Sequence, residues 1–271
     1  MFRAPAERCP LDGARLHRGA RDPLLDTWFA GRYLIEELVG DGPLGRIYRA
    51  RDLRDRRWLA LRVLAGERAA DPVARARFHR QAELARRLDH PNVVPVSALG
   101  TSREGLPFVV TDYVAGHALS RVVSREGPLP RGRALAILRQ VADGLAHAHE
   151  RGVLHRDLRP ENVLLSRERR RGERARIVDF GIGAGGGDAD PRRDLAGLGA
   201  VLRQMLGSGP AGRGARTARE PPTGGEVCVD LGEADLGRLA ERLEADPAAC
   251  LRSLGLTGQG RPPAPPRSGS S

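Results

Sequence analysis

Between Tyr33 and Leu206 the apolar positions change period several times, and each change marks an element. Alternating residues at 33–39 read as a strand, followed by a glycine-rich turn and a second strand at 46–51. Residues 58–64 make a third. Asp71 and Pro72 form a helix-start signal, N-cap then first helical position. Phe78, Ala82, Ala85 and Leu88 then recur near the helical period up to His90-Pro91. Segments 93–99 and 107–114 are two more strands. The first half therefore predicts a five-stranded antiparallel sheet with one helix.

The second half is mostly helical. Leu135, Leu138, Val141, Leu145 and Ala148 form one stripe along a helix at 131–151. Short strands at 162–166 and 175–179 flank an arginine-rich hairpin. An apolar helix follows at 194–206, then a Gly- and Pro-rich loop at 207–232 and a helix at 233–254. Residues 1–31 read as irregular, and the tail from 257 as low-complexity and disordered. There is no internal repeat.

Composition narrows the classes. The 271 residues are 40% apolar, ample for a core without metal or disulfide. No run of about 18 apolar residues predicts a membrane span. Residues 1–13 lack the apolar core of a secretory signal. Cys9, Cys228 and Cys250 are too few and too scattered for a disulfide scaffold, which points to a reducing, cytoplasmic setting. Net charge is 45 − 34 = +11, and every one of the 45 basic residues is Arg, with no Lys anywhere. Nucleic acid is not the expected partner. The arginines are spread along the chain, and aromatics, at 4%, are too rare to build stacking platforms.

Three motifs carry chemistry. Gly40, Gly42 and Gly45 form a G-x-G-x-x-G pattern between two strands. Its backbone amides can approach phosphates, or it is an ordinary flexible hairpin turn. His155-Arg156-Asp157-Leu158-Arg159-Pro160-Glu161-Asn162 places a carboxylate five residues before an amide on a loop after a helix. Such a loop can hold a base and a metal ligand in one cleft. Asp179-Phe180-Gly181 follows a strand, 22 positions after Asp157, and its carboxylate is an oxygen donor suited to Mg²⁺.

Together these words resemble the eukaryotic-like Ser/Thr protein kinases of bacteria, from about Gly31 to Leu254. Gly31-Arg32-Tyr33, Asp89-His90-Pro91-Asn92 and Ala146-His147-Ala148-His149 match as well. The resemblance implies an α+β, bilobal protein-kinase-like fold, with an N-lobe at 32–112 and a mostly helical, shortened C-lobe at 113–256. It implies ATP between the lobes. Thr111 matches the gatekeeper, Asp112 to Val114 the adenine-binding hinge, and Ile47, Ala60 and Leu164 the adenine sandwich. Asp157 matches the catalytic base, with Arg159 where the family has Lys, and Asn162 and Asp179 match the Mg²⁺ ligands.

Several family features are missing. The third strand ends with Arg62 where the family places Lys, and Arg is not its isostere. The helix position that should supply the partnering Glu is Gln81; Glu83 is ~200° away around the helix. Pro43 removes an amide from the glycine-rich tip. Only 15 positions separate Asp179 from Asp194, which matches the family's next fixed Asp. That segment is short for the family, has no A-P-E and no Ser, Thr or Tyr. Arg156 thus lacks the phosphate it would bind, and Asp188 and Asp190 are candidate acidic stand-ins. The Arg that would pair with the A-P-E Glu is Cys250. Cys9-Pro10-Leu11-Asp12-Gly13 resembles half a zinc-ribbon knuckle, and one Cys makes no zinc site. The expected function is a pseudokinase regulator or scaffold in Ser/Thr kinase signalling. Weak, Mg²⁺-dependent ATP binding and another signalling protein as partner go with it. The alternatives are a weakly active ATP-dependent Ser/Thr kinase and a small-molecule phosphotransferase. Arg156 and Phe180-Gly181 speak against the latter.

Overall fold

A two-residue strand, Trp28–Phe29 (β1), begins the sheet and pairs with Tyr33–Gly42 (β2). Gly45–Asp52 (β3) and Trp58–Val63 (β4) complete an antiparallel meander. The structure, a computed structural model, describes residues 22–42, 45–168, 172–181 and 190–207. The Cys9 knuckle, Pro43, Asp188, Cys228, Cys250, the 233–254 helix and the tail lie outside the described residues, as do 169–171 at the tip of the basic hairpin.

After β4 come a single helical turn, Glu67–Ala70 (α1), and the helix Pro72–Ala85 (α2). Asp71 caps α2 as expected: its carboxylate accepts from the Val73 amide at 2.9 Å. Val96–Thr101 (β5) and Pro107–Asp112 (β6) finish the sheet, whose order is β1-β2-β3-β4-β6-β5. The sheet has six strands rather than five, because β1 joins its edge. Two residues between turns are too short to carry a period, so 28–29 was invisible to pattern reading. β5 begins three residues later than expected because Val93 and Val94 are used elsewhere. Val94 N–H donates to the Ile177 carbonyl at 2.9 Å, and Ile177 N–H donates to Asn92 at 2.8 Å. The Asn92 amide adds a bond to the Ala175 carbonyl at 2.8 Å. The chain leaving α2 is thereby tied to the second lobe.

That lobe holds His117–Ala118 (β7), Leu119–Glu126 (α3), Arg131–His149 (α4), Val163–Glu168 (β8), Gly172–Ile177 (β9) and Pro191–Leu206 (α5). β7, β8 and β9 form a three-stranded sheet. β8 and β9 extend further into the basic hairpin than expected, since Glu168 pairs with Arg174 at 3.2 Å and Arg176 at 2.5 Å. α5 starts at Pro191, where Asp190 caps it through the Arg192 amide at 2.9 Å. β7 and α3 carry no strong signal in sequence and were not anticipated.

Two cores result. Ile35, Tyr48, Leu61, Val63 and Val110 pack on one face of the large sheet. The larger core joins α2 (Phe78, Ala82) to α4 (Leu138, Val141, Leu145), β9 and α5 (Leu198, Leu202). The stripe expected on α4 is the buried one, with Leu135 at its margin. Leu138 is fully buried, at 0% exposure, whereas Val73 on α2 is 64% exposed. Leu138→Ala is expected to lose about 2–5 kcal/mol in equilibrium denaturation, and Val73→Ala about 0.5 kcal/mol or less.

Candidate active site

Asp194, in the first turn of α5, has no exposed surface, yet its carboxylate is fully engaged. It accepts from the backbone amides of His155 (2.8 Å) and Arg156 (2.6 Å) and from His149 Nε2 (2.8 Å). Burial alone would raise its pKa, but the bonds from His149 and the two amides outweigh burial and hold it below the usual carboxylate range. Gly197, one turn on, lets the helix sit against the same loop: a Cβ there would lie 2.6 Å from the Leu158 carbonyl.

His155 continues the connection. It is completely buried, and Nε2–H donates to the Val178 carbonyl at 2.8 Å. Its ring meets Phe180 edge-on, with centroids 4.9 Å apart. Burial depresses its pKa, so the ring is neutral, and the Nε2 bond selects the tautomer. Gly181 N–H returns to the His155 carbonyl at 3.1 Å. Asp157 and Asn162 therefore sit on a loop held from both sides. Asn162 Nδ2 donates to the Asp157 carbonyl at 2.8 Å, leaving its Oδ1 as acceptor. Arg159 turns away to Glu161, with Nε to Oε2 at 2.9 Å, and both are exposed. Arg156 and Asp179 have left-handed backbones, φ 69° and 65°, unusual for non-glycine residues. Each is held there by contacts, Arg156 through Asp194 and Asp179 through Arg62. The Arg156 Nε is buried with no hydrogen-bond partner among the described residues, and Asp190 serves as the α5 cap.

The opposite wall is the large sheet. Cross-strand partners share a face, and the register aligns Ile47 with Arg62 and Val109, and Ala60 with Thr111. Ile47, Ala60, Arg62 and Thr111 therefore lie on the face opposite the Tyr48–Leu61–Val110 core. Ile47, Ala60, Thr111, Asp112 and Leu164 of β8 are half-buried, and Val114 is buried. Gly40 pairs with Ile47, and Gly42 with Gly45. Gly45, with φ 101°, lies so close to Val63 that a Cβ would overlap that residue's carbonyl, so only glycine fits.

Arg62 is 9% exposed, and its Nη2 forms an ion pair with Asp179 Oδ2. This pair, across 117 positions of sequence, was not foreseen. Gln81 is buried too, and a Cβ on Gly181 would lie 2.6 Å from its Oε1. The half-buried apolar residues and hinge backbone suit a planar base. Asp179 as placed fits a divalent cation poorly, because its Oδ2 already holds a guanidinium whose charge repels one. Asp157 and Asn162 are brought together, and so are Arg62 and Asp179; Arg159 stands apart.

Many known proteins resemble this chain in sequence and fold. The family described as Protein kinase domain matches residues 33–194. Serine/threonine-protein kinase pkn3 of Myxococcus xanthus is 34% identical over 68% of this chain and 39% of its own length. Serine/threonine-protein kinase PknB of Mycobacterium leprae is 30% identical over 87% of this chain and 44% of its own. The chain thus spans less than half the length of these relatives. The crystal structure of the Mycobacterium tuberculosis PknI kinase domain superposes with a TM-score of 0.65 at 30% identity, covering 86% of this chain and 97% of that one.

Stability should fall with acidification in two steps. Below the ordinary imidazole value of 6.5 the unfolded chain protonates His155 while the buried folded ring resists. The unfolded state then binds more protons, and stability drops as pH falls. The Asp194 contribution is complete above the ordinary carboxylate value of 3.8 and is lost as pH falls through its depressed folded value. Asp194→Asn is expected to cost about 1–3 kcal/mol at neutral pH and to shrink the lower step. Denaturant melts from pH 7 to about pH 1 check both.

Proposed function

The chain belongs to the protein kinase family, and on that premise we propose that it is a nucleotide-binding pseudokinase, a regulator or scaffold in bacterial Ser/Thr kinase signalling. The described residues include no helix long and apolar enough to cross a membrane. The proposed setting is cytoplasmic. The proposed lobes are 32–112 and 113–256, flanked by 1–31 and 257–271.

One observation carries the reading. Gly181 is bonded to the His155 carbonyl, and Asp194 to the His155 and Arg156 amides. Both ends of the segment are anchored to the same loop, and only eight residues lie between Gly181 and Asp190. Eight residues span at most ~29 Å fully extended, and less when the ends must return to one loop. A shelf that holds a peptide hydroxyl beside Asp157 needs more chain than that. Arg62 in place of Lys, and Gln81 in place of Glu, remove the usual grip on phosphates. The adenine side of the cleft, at Ile47, Ala60, Thr111, Val114 and Leu164, keeps apolar or hinge character, which supports weak ATP binding with ADP nearly as good.

A second reading has its own support: Asp157 and Asn162 remain locked to one another by the 2.8 Å bond, as a phosphotransfer site would need. On that reading the chain is a weakly active protein kinase.

Radiolabel transfer from ATP to generic protein substrates separates the two. Wild type is expected to give no labelling above an Asp157→Asn control. Restoring Lys at 62 and Glu at 81 together is expected to give none either, because misplacement of the acceptor alone costs orders of magnitude in rate. Robust labelling by wild type that disappears in Asp157→Asn would establish the second reading.

A further inference from the structure

The Arg62–Asp179 pair raises the question of what neutralises a polyphosphate in a cleft whose metal carboxylate is already occupied. We propose that the Arg62 guanidinium, held by Asp179, stands in for the divalent cation, so that the cleft binds its nucleotide as the metal-free polyphosphate anion. The inference rests on the nucleotide-binding reading and goes beyond it by stating which ionic form is bound.

The geometry of the pair supports it. Arg62 is fixed: it lies in β4, between β3 and β6, paired in register with Ile47 and Val109. Its side chain is 10% exposed and that of Asp179 20%, so the charges face each other with little water between them. A guanidinium carries five N–H donors in a planar fork, and the ion pair with Asp179 is made through Nη2. One Arg can therefore bind a carboxylate on one edge and phosphate oxygens on another, which a single metal-like point charge on Lys does not do.

The competing acid is also gone. Gln81 is neutral, buried at 6% exposure, and packed against Gly181, so this position of α2 offers no carboxylate to draw Arg62 away from Asp179. With no Lys in the chain, no compact ammonium can substitute for the guanidinium at the phosphates. A divalent cation at Asp179 would sit beside the buried Arg62 guanidinium and be repelled by it. In solution the same cation would sequester the nucleotide as its complex, lowering the concentration of the form the cleft accepts.

Calorimetric titration of the full chain with ATP and with ADP tests this, first in EDTA and then in excess Mg²⁺. Wild type is expected to bind in EDTA, with affinity in Mg²⁺ equal within about twofold or weaker. Asp179→Asn should keep or tighten binding in EDTA, because it removes an anion beside the phosphates and releases Arg62. Arg62→Met should weaken binding in EDTA by about tenfold or more, the size of one lost charge-assisted hydrogen bond. It should also make binding respond to Mg²⁺, because Asp179 is then free. Should Arg62→Met fail to fold, judged by its melting transition without ligand, wild type and Asp179→Asn still decide the matter. An increase of about tenfold in wild-type affinity on adding Mg²⁺, or loss of binding in Asp179→Asn, overturns the metal-free mode and leaves nucleotide binding standing. Absence of binding by wild type in both buffers overturns both.

Discussion

The Asp194 carboxylate organises the second lobe. A fully buried carboxylate is several kcal/mol less stable than in water unless its lone pairs are satisfied. Here two consecutive backbone amides and an imidazole satisfy them. The constraint works in both directions. The charge is tolerable only if the loop at 155–156 presents its amides, and the loop holds its left-handed Arg156 only because the charge is there. His155, carried on the same turn, extends the restraint to Val178 and Phe180. Asp157, Asn162 and Asp179 inherit their positions from one buried ion.

Between the lobes the corresponding role falls to Arg62 and Asp179. The sheet is a stiff platform, and α2 is tied to β9 through Asn92, so the wall carrying Arg62 and the wall carrying Asp179 have little freedom to part. In the family this space holds a Lys and a Glu on one side and a metal-binding Asp on the other. Here a larger planar cation reaches across to the Asp, and a neutral amide fills the place of the Glu. The pair is self-consistent: removing the Glu alone would leave a buried cation unpaired, and Asp179 is the partner that prevents it. The space between the lobes therefore keeps its half-buried apolar residues while its polar end carries a different pair of groups.

Much of this was legible in the chain. The strands around Gly40-x-Gly42 and the Trp58–Val63 strand alternate clearly. The α2 start is marked by Asp71-Pro72, and the α4 stripe by five apolar residues at helical spacing. Asp157, Asn162 and Asp179 stand out because their words are rare and their order is specific. The absence of Lys, the neutral Gln81 and the short interval from Asp179 to Asp194 were plain arithmetic. What stayed hidden were short elements and long-range pairs. β1 and β7, at two residues each, are too brief for a period to form. Val93 and Val94 read as strand, but their amides donate to the His90 and Ile177 carbonyls rather than to the large sheet.

The sequence by itself determined the class of fold, the placement of the motif residues on loops and strands, and the loss of specific chemical groups, because periodicity and residue type are local properties. Only the tertiary structure decided what replaces those groups. Whether Arg62 faces a phosphate, solvent or an acid depends on which residue the second lobe brings opposite it, 117 positions away. That choice comes from the register of β3, β4 and β6 and from the turn that Asp194 imposes on the loop beside Asp179. Neither leaves a mark near Arg62 in the chain, since the energy of an ion pair depends on distance and burial in space and not on separation along the sequence.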